Sequence, residues 1–259
     1  MTAPTIRYSV IEGVASLSLC RPAQRNAMDA HMRDAFAEAC NSAGSDPAVR
    51  VLLISAEGSS FCAGADTSEM GGGGIQGSRA RMRKWNAMSR ALNGVDKPVI
   101  AAVRGSAVGI GWSIVLGSDI VIASDTARFA QVFRNIALAP DGGAIWHLTR
   151  RLGVAVAKDL VFSGRFVAAD EALKLGLVSR VVPDADLDAT ALSVAQELAT
   201  GPTFALGMSK WLFDKAGQSS LDEFLELEMM VQSQLTQGQD FAEGIDAFKN
   251  KRKPKFTGR

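Results

Sequence analysis

Three almost uninterrupted apolar runs constrain this chain more than any other feature: "VRVLLIS" at 49–55, "PVIAAV" at 98–103 and "SDIVIAS" at 118–124. Each is short for a helix, rich in β-branched residues, and lacks the polar alternation of a half-solvated strand. Such runs are expected where a strand is buried on both faces, the situation of parallel strands sandwiched by helices. "VSRVV" at 178–182 reads as a further strand, and helical periodicity fills the segments between. The pattern predicts an α/β fold with largely parallel pairing.

The ends read differently. Ile6–Ile11 and Val14–Cys20 alternate around Glu12-Gly13 and predict a hairpin. Asp29 caps a helix whose Met32, Ala35, Phe36, Ala39 and Ala43 keep the helical period, with Gly44 as its stop. The helix before "PVIAAV" is expected over 78–93, and the Gly71–Gly74 run before it as a mobile loop. Strand signals cease near Pro183. Helices are expected near 185–199, 203–216, 220–237 and 241–250, the third opened by a Ser220/Glu223 capping box. The chain therefore divides into an α/β body at 1–182 and a helical region at 183–259.

Composition excludes several classes. A net charge of +1 in 259 residues leaves no extended basic face for nucleic acid. No apolar run reaches the length of a membrane span, and "MTAPTIRYSV" lacks a signal peptide's apolar core. Cys20, Cys40 and Cys62 are scattered without metal-binding or redox spacing, which suits reduced thiols in a cytoplasm. His31 and His147 stand far apart, so no metal site is expected.

The candidate chemistry lies in glycine-bearing turns and one carboxylate. "GSAVGIGWSIVLGSD" has Gly109 and Gly111 but puts Ile114 where a dinucleotide fingerprint needs its third glycine. Ser113 lacks the flanking glycine of a hydrolase elbow and reads as a helix-interior serine. Cys62 reads as a small packed residue. Two strand-to-turn segments, "ISAEGSSFCAGAD" and "AAVRGSAVGIG", could each present a backbone N–H, and two converging donors make a hole for an oxyanion. In "FRNIALAPDGGAIWHL", Asp141 is the lone carboxylate. Spacing leaves two roles open for it: an N-cap, held as the anion and depressed in pKa, or a proton-moving base, raised by an apolar pocket.

"RPAQRNAM" (21–28), "FCAGADTSEM" (61–70), "KPVIAAVRGSAVGIGWSIVLGSDIVIAS" (97–124) and "EGIDAFKNKRKPKFTGR" (243–259) resemble the enoyl-CoA hydratase/isomerase, or crotonase, family over nearly the whole chain. The resemblance implies a spiral core of ββα turns with a C-terminal helical region, assembled as homotrimers or hexamers, and a coenzyme A thioester as substrate. Coenzyme A is then part of the substrate, and no cofactor is implied. Carried over by position, the oxyanion donors are the N–H groups of Ala65 and Ile110. Arg25, Ala27, and Ala63, Gly64 and Asp66 of the "AGAD" loop fall at CoA-binding positions, as does Gly109 in the second loop. Phe248 and Lys251 match tail positions that reach a CoA, often a neighbouring subunit's.

The departures from the family pattern bear on the reaction. Ser113 and Phe133 occupy the positions of the two glutamates that family hydratases use on one water. Asp141 matches a position where some family isomerases carry their acid/base, including those resembling the ring-epoxide isomerase. The expectation is therefore an isomerase that shifts a C=C bond with Asp141 as single acid/base. Hydratase-like chemistry, aryl-CoA hydrolysis or dehalogenation with Asp141 as nucleophile, and non-catalytic acyl-CoA binding are the alternatives.

Overall fold

The computed structural model describes residues 4–71 and 73–258. β1 (Ile6–Ile11) and β2 (Val14–Leu19) form the hairpin, turned by Glu12 and Gly13 at positive φ. Two such residues make the turn whose twist matches its strands. α1 (Ala30–Ser45) starts on the side chain of Asp29, which accepts the Met32 N–H at 2.7 Å. It runs through Gly44 rather than stopping there. β3 (Val51–Ala56) follows, then α2 (Gly74–Asn93), which begins earlier than its periodicity suggested, with Gly73 as cap. Gly72 of the expected mobile run lies outside the described residues.

β4 (Val99–Val103), β5 (Ser106–Val108), α3 (Ile110–Leu116), β6 (Ile120–Ser124) and β7 (Arg128–Ala130) make up the middle of the chain. α4 (Ala144–Ser163) bends at Gly153, where φ is +74°. β8 (Val167–Ala168), α5 (Ala169–Lys174) and β9 (Arg180–Val182) close the strand-bearing part. The helices α6 (Leu187–Ala199), α7 (Thr203–Ala216), α8 (Leu221–Leu235) and α9 (Gln239–Lys249) follow, and the capping box of α8 is present.

The main sheet has the order β1-β2-β3-β4-β6-β9, parallel from β2 onward; β5, β7 and β8 form a second, three-stranded sheet. Alternation along β3 and β4 explains the apolar runs. Leu52, Ile54, Ala101 and Val103 face Met32 and Phe36 of α1, Met88 and Leu92 of α2, and α3. Leu53, Ile100 and Ala102 face Leu187, Ala191 and Ala195 of α6 on the other side. Both faces are covered, so neither needs polar residues. No helix among the described residues is long and apolar enough to cross a membrane.

Candidate active site

β3 and β4 both end beside the same point. The chain leaving β3 is zipped to β5: the Cys62 N–H donates to Ser106 O at 3.0 Å and the Val108 N–H to Cys62 O at 2.9 Å. Three residues later Ala65 bridges Met28, with the Met28 N–H on Gly64 O at 2.8 Å and the Asp66 N–H on Met28 O at 2.9 Å. That register turns the Ala65 N–H the other way. Gly64, at φ +110°, and Gly109, at φ +56°, let the two loops touch: a Cβ on Gly109 would lie 3.9 Å from Gly64 Cα. Ile110 opens α3, where a first-turn N–H has no helical acceptor. Among the described residues no group accepts the N–H of Ala65 or of Ile110.

Phe133 and Asp141 complete the neighbourhood. The Phe133 ring lies 3.5 Å from where a Gly109 Cβ would be. Gly142, at φ +62°, fits between Ile110 and Ser113: a Cβ there would fall 2.5 Å from Ile110 Cδ1 and 2.7 Å from Ser113 Cβ. Asp141 is thus held against the start of α3. It is not a helix cap, since the cap of α4 is Gly143 and carries no side-chain bond. Its Oδ1 is buried and unpartnered among the described residues. Burial pushes the carboxyl up to about 6, with only its own backbone N–H pulling it back. A carboxylate held this way serves as base near neutrality and as acid once protonated.

Other predicted residues frame or leave this point. Arg25, at φ +51°, accepts the Ala63 N–H on its carbonyl at 3.0 Å, and the Arg21 guanidinium donates to the Ala27 carbonyl. Asp66 is committed locally: Ser68 Oγ donates to it at 2.7 Å and Arg21 pairs with it at 3.2 Å, which lowers its pKa. Phe248 and Lys251 lie exposed on the tail. Cys62 is fully buried, its thiol pushed up to about 11 by burial, and behaves as packing. His147 is buried against Trp146, and burial with Arg151 and Arg150 holds it down to about 4.

Sequence reasoning missed Asn26. It is fully buried at φ +55°, accepts the Arg21 N–H at 2.8 Å and donates to Glu57 O at 2.9 Å and Ser60 O at 2.8 Å. One amide therefore pins the Arg25–Ala27 turn to the loop after β3. A separate cavity of about 460 Å³ lies past the far end of α3, lined by Gly117, Asp119, Trp146, Arg150, Lys210 and Phe213. It contains none of the two loops' residues and lies apart from the candidate site at Ala65, Ile110 and Asp141.

A family model described as enoyl-CoA hydratase/isomerase matches residues 10–259. The chain belongs to the enoyl-CoA hydratase/isomerase family. Members of this family act on acyl-CoA thioesters. The chain is 36% identical to a Rhodobacter capsulatus protein named "Probable enoyl-CoA hydratase", over 100% of both chains. It is 37% identical to the 1,2-epoxyphenylacetyl-CoA isomerase of Escherichia coli, over 96% of this chain and 97% of that one. A crystal structure of an enoyl-CoA hydratase from Bacillus anthracis superimposes with a TM-score of 0.94 at 29% identity, covering 99% of this chain and 100% of the other. The expected α/β crotonase fold is therefore the observed one.

Proposed function

We propose that this family member is an enoyl-CoA isomerase with Asp141 as its single acid/base. The relatives' names divide between hydratase and isomerase, so the choice rests on the residues of the site. The observation that carries it is Asp141 itself: a buried carboxylate with a free Oδ1, raised to about 6, beside two unclaimed N–H donors. The thioester oxygen is assigned to the N–H groups of Ala65 and Ile110. Asp141 takes a proton from C2 of a 3-enoyl thioester, the electrons move onto the oxygen as a dienolate, and the same carboxyl returns a proton to C4. Hydration instead uses a pair of carboxylates on one water, and Ser113 and Phe133 occupy the places where they would stand.

Arg25, Ala27, Ala63, Gly64 and Gly109 are assigned to the pantetheine and nucleotide side, with Asp66 shaping the loop through Arg21 and Ser68. The test is conversion of a 3-enoyl-CoA to the conjugated 2-enoyl-CoA, followed by absorbance, in wild type and Asp141→Asn. We expect wild-type activity that falls at least 1,000-fold in the variant, on the order of what losing a positioned acid/base costs. Activity of the wild type should drop as pH falls through about 6, where the base takes up its proton. A silent wild type that still binds acyl-CoA would remove the reading.

A further inference from the structure

Ser113 sits buried inside α3, at the position that the resemblance matches to a hydratase glutamate. A helical serine commonly turns its hydroxyl back to the carbonyl one turn earlier, and Ser113 Oγ is 3.2 Å from Gly109 O. The same oxygen is 2.9 Å from the carbonyl oxygen of Asp141. A hydroxyl has one proton to give, so the two carbonyls share it, the shorter leg reaching Asp141. The Asp141 carbonyl also receives the Ala144 N–H at 3.1 Å. The base is therefore tied to α4 on one side and to α3 on the other.

The second carbonyl is as informative. Gly109 C=O and Ile110 N–H belong to one rigid peptide plane, so fixing the first aims the second. Gly109 O accepts the Ser113 N–H at 3.0 Å and, more weakly, Gln131 Nε2 at 3.4 Å. Gln131 is fully buried and its Oε1 has no partner among the described residues. Donors on a carbonyl polarise its peptide and strengthen the N–H at the opposite end. Gly142 packs directly on Ser113, with a Cβ there falling 3.2 Å from Ser113 Oγ.

We propose that Ser113 is a positioning residue that locks the main chain of Asp141 to the peptide bearing the Ile110 donor, and so sets the spacing between base and oxyanion hole. The proposal rests on Asp141 being the base. One carboxyl must reach C2 and then C4 of a dienolate whose oxygen is pinned. The C2–H bond breaks as an O–H bond forms on Asp141, and that O–H bond breaks as C4–H forms. A base displaced by about 1 Å loses on the order of 100-fold in such a geometry. A loosened base also gives the carried proton more time to exchange with solvent.

The experiment compares wild type, Ser113→Ala, Ser113→Cys and Asp141→Asn in deuterium oxide. It reads kcat, KM, thermal unfolding, and deuterium gained at C4 per turnover. Ser113→Ala is expected to keep KM within about twofold, lose roughly 10–100-fold in kcat, and incorporate more solvent deuterium per turnover. Ser113→Cys fills the space with a poor donor and is expected to follow alanine; recovery with cysteine would mean that bulk, not the hydrogen bond, matters, and would overturn the proposal. So would a Ser113→Ala enzyme with wild-type kcat and labelling, or one whose activity falls only as its folded fraction falls. Silence in the wild type as well as in Asp141→Asn defeats the isomerase reading itself, and this proposal with it. An active wild type beside an unaltered Ser113→Ala defeats this proposal alone.

Discussion

At neutral pH the Asp141 carboxylate is a buried charge without a countercharge, and it should weaken the fold it serves. Its folded pKa of about 6 lies above the ordinary 3.8. The folded state therefore holds the proton more tightly than the unfolded chain, and stability falls as pH rises from about 4 to about 6. Asp141→Asn is expected to abolish turnover while stabilising the protein at pH 8, by on the order of 1–2 kcal/mol given its partial exposure. The gain should vanish near pH 4, and melting curves at the two pH values check it. This residue was visible in the sequence because a lone Asp followed by two glycines stands out. Its role was not, because a cap and a base are spelled alike; only the cap position at Gly143 and the unpartnered oxygen separate them. Asn26 was opaque for the opposite reason. Its partners Glu57 and Ser60 are distant in sequence, and only folding brings their carbonyls to one amide.

At the level of elements, the contact between α3 and the loop after β3 sets the distance between the two candidate donors. Gly111 makes that contact: a Cβ there would fall 2.6 Å from Cys62 Cβ and 2.7 Å from Cys62 O. Those atoms are buried and zipped to β5, so they cannot yield cheaply. Gly111→Ala is expected to destabilise by about 1–3 kcal/mol through overpacking. It should also lower kcat in the molecules that remain folded, because moving α3 moves the Ile110 N–H; denaturant unfolding beside steady-state kinetics separates the two effects. β3, β4 and β6 were legible as apolar runs, since burial on both faces leaves little place for polar residues, whereas the short β5, β7 and β8 were not read. Helix ends were read less well. Gly44 looked like a stop but lies within α1, because small residues there meet the chain near Val95 and tertiary packing outweighs glycine's weak helix propensity. α2 began earlier than its periodicity showed, since its first turn is built of glycine and exposed side chains with no apolar face to read.

For the whole molecule, the end of the strands near Val182 was legible in the sequence, but the place of α6 was not. Its Leu187, Ala191 and Ala195 cover the second face of the main sheet, a job no local pattern announces. The order β1-β2-β3-β4-β6-β9 also has a kinetic consequence. In that sheet only the β1–β2 hairpin joins its strands through a tight turn; Val14 must find Val51, Leu52 must find Val99, and Ile122 must find Arg180. Each pairing closes a long loop before any contact repays it, so refolding is expected to be slow, milliseconds to seconds or beyond. Stopped-flow measurement should show helical signal well before the change in tryptophan fluorescence, to which Trp112, the almost wholly buried one of the four, contributes. In that interval β3 and β4 offer bare apolar edges to any neighbour, so the yield of refolded protein should fall steeply as chain concentration rises.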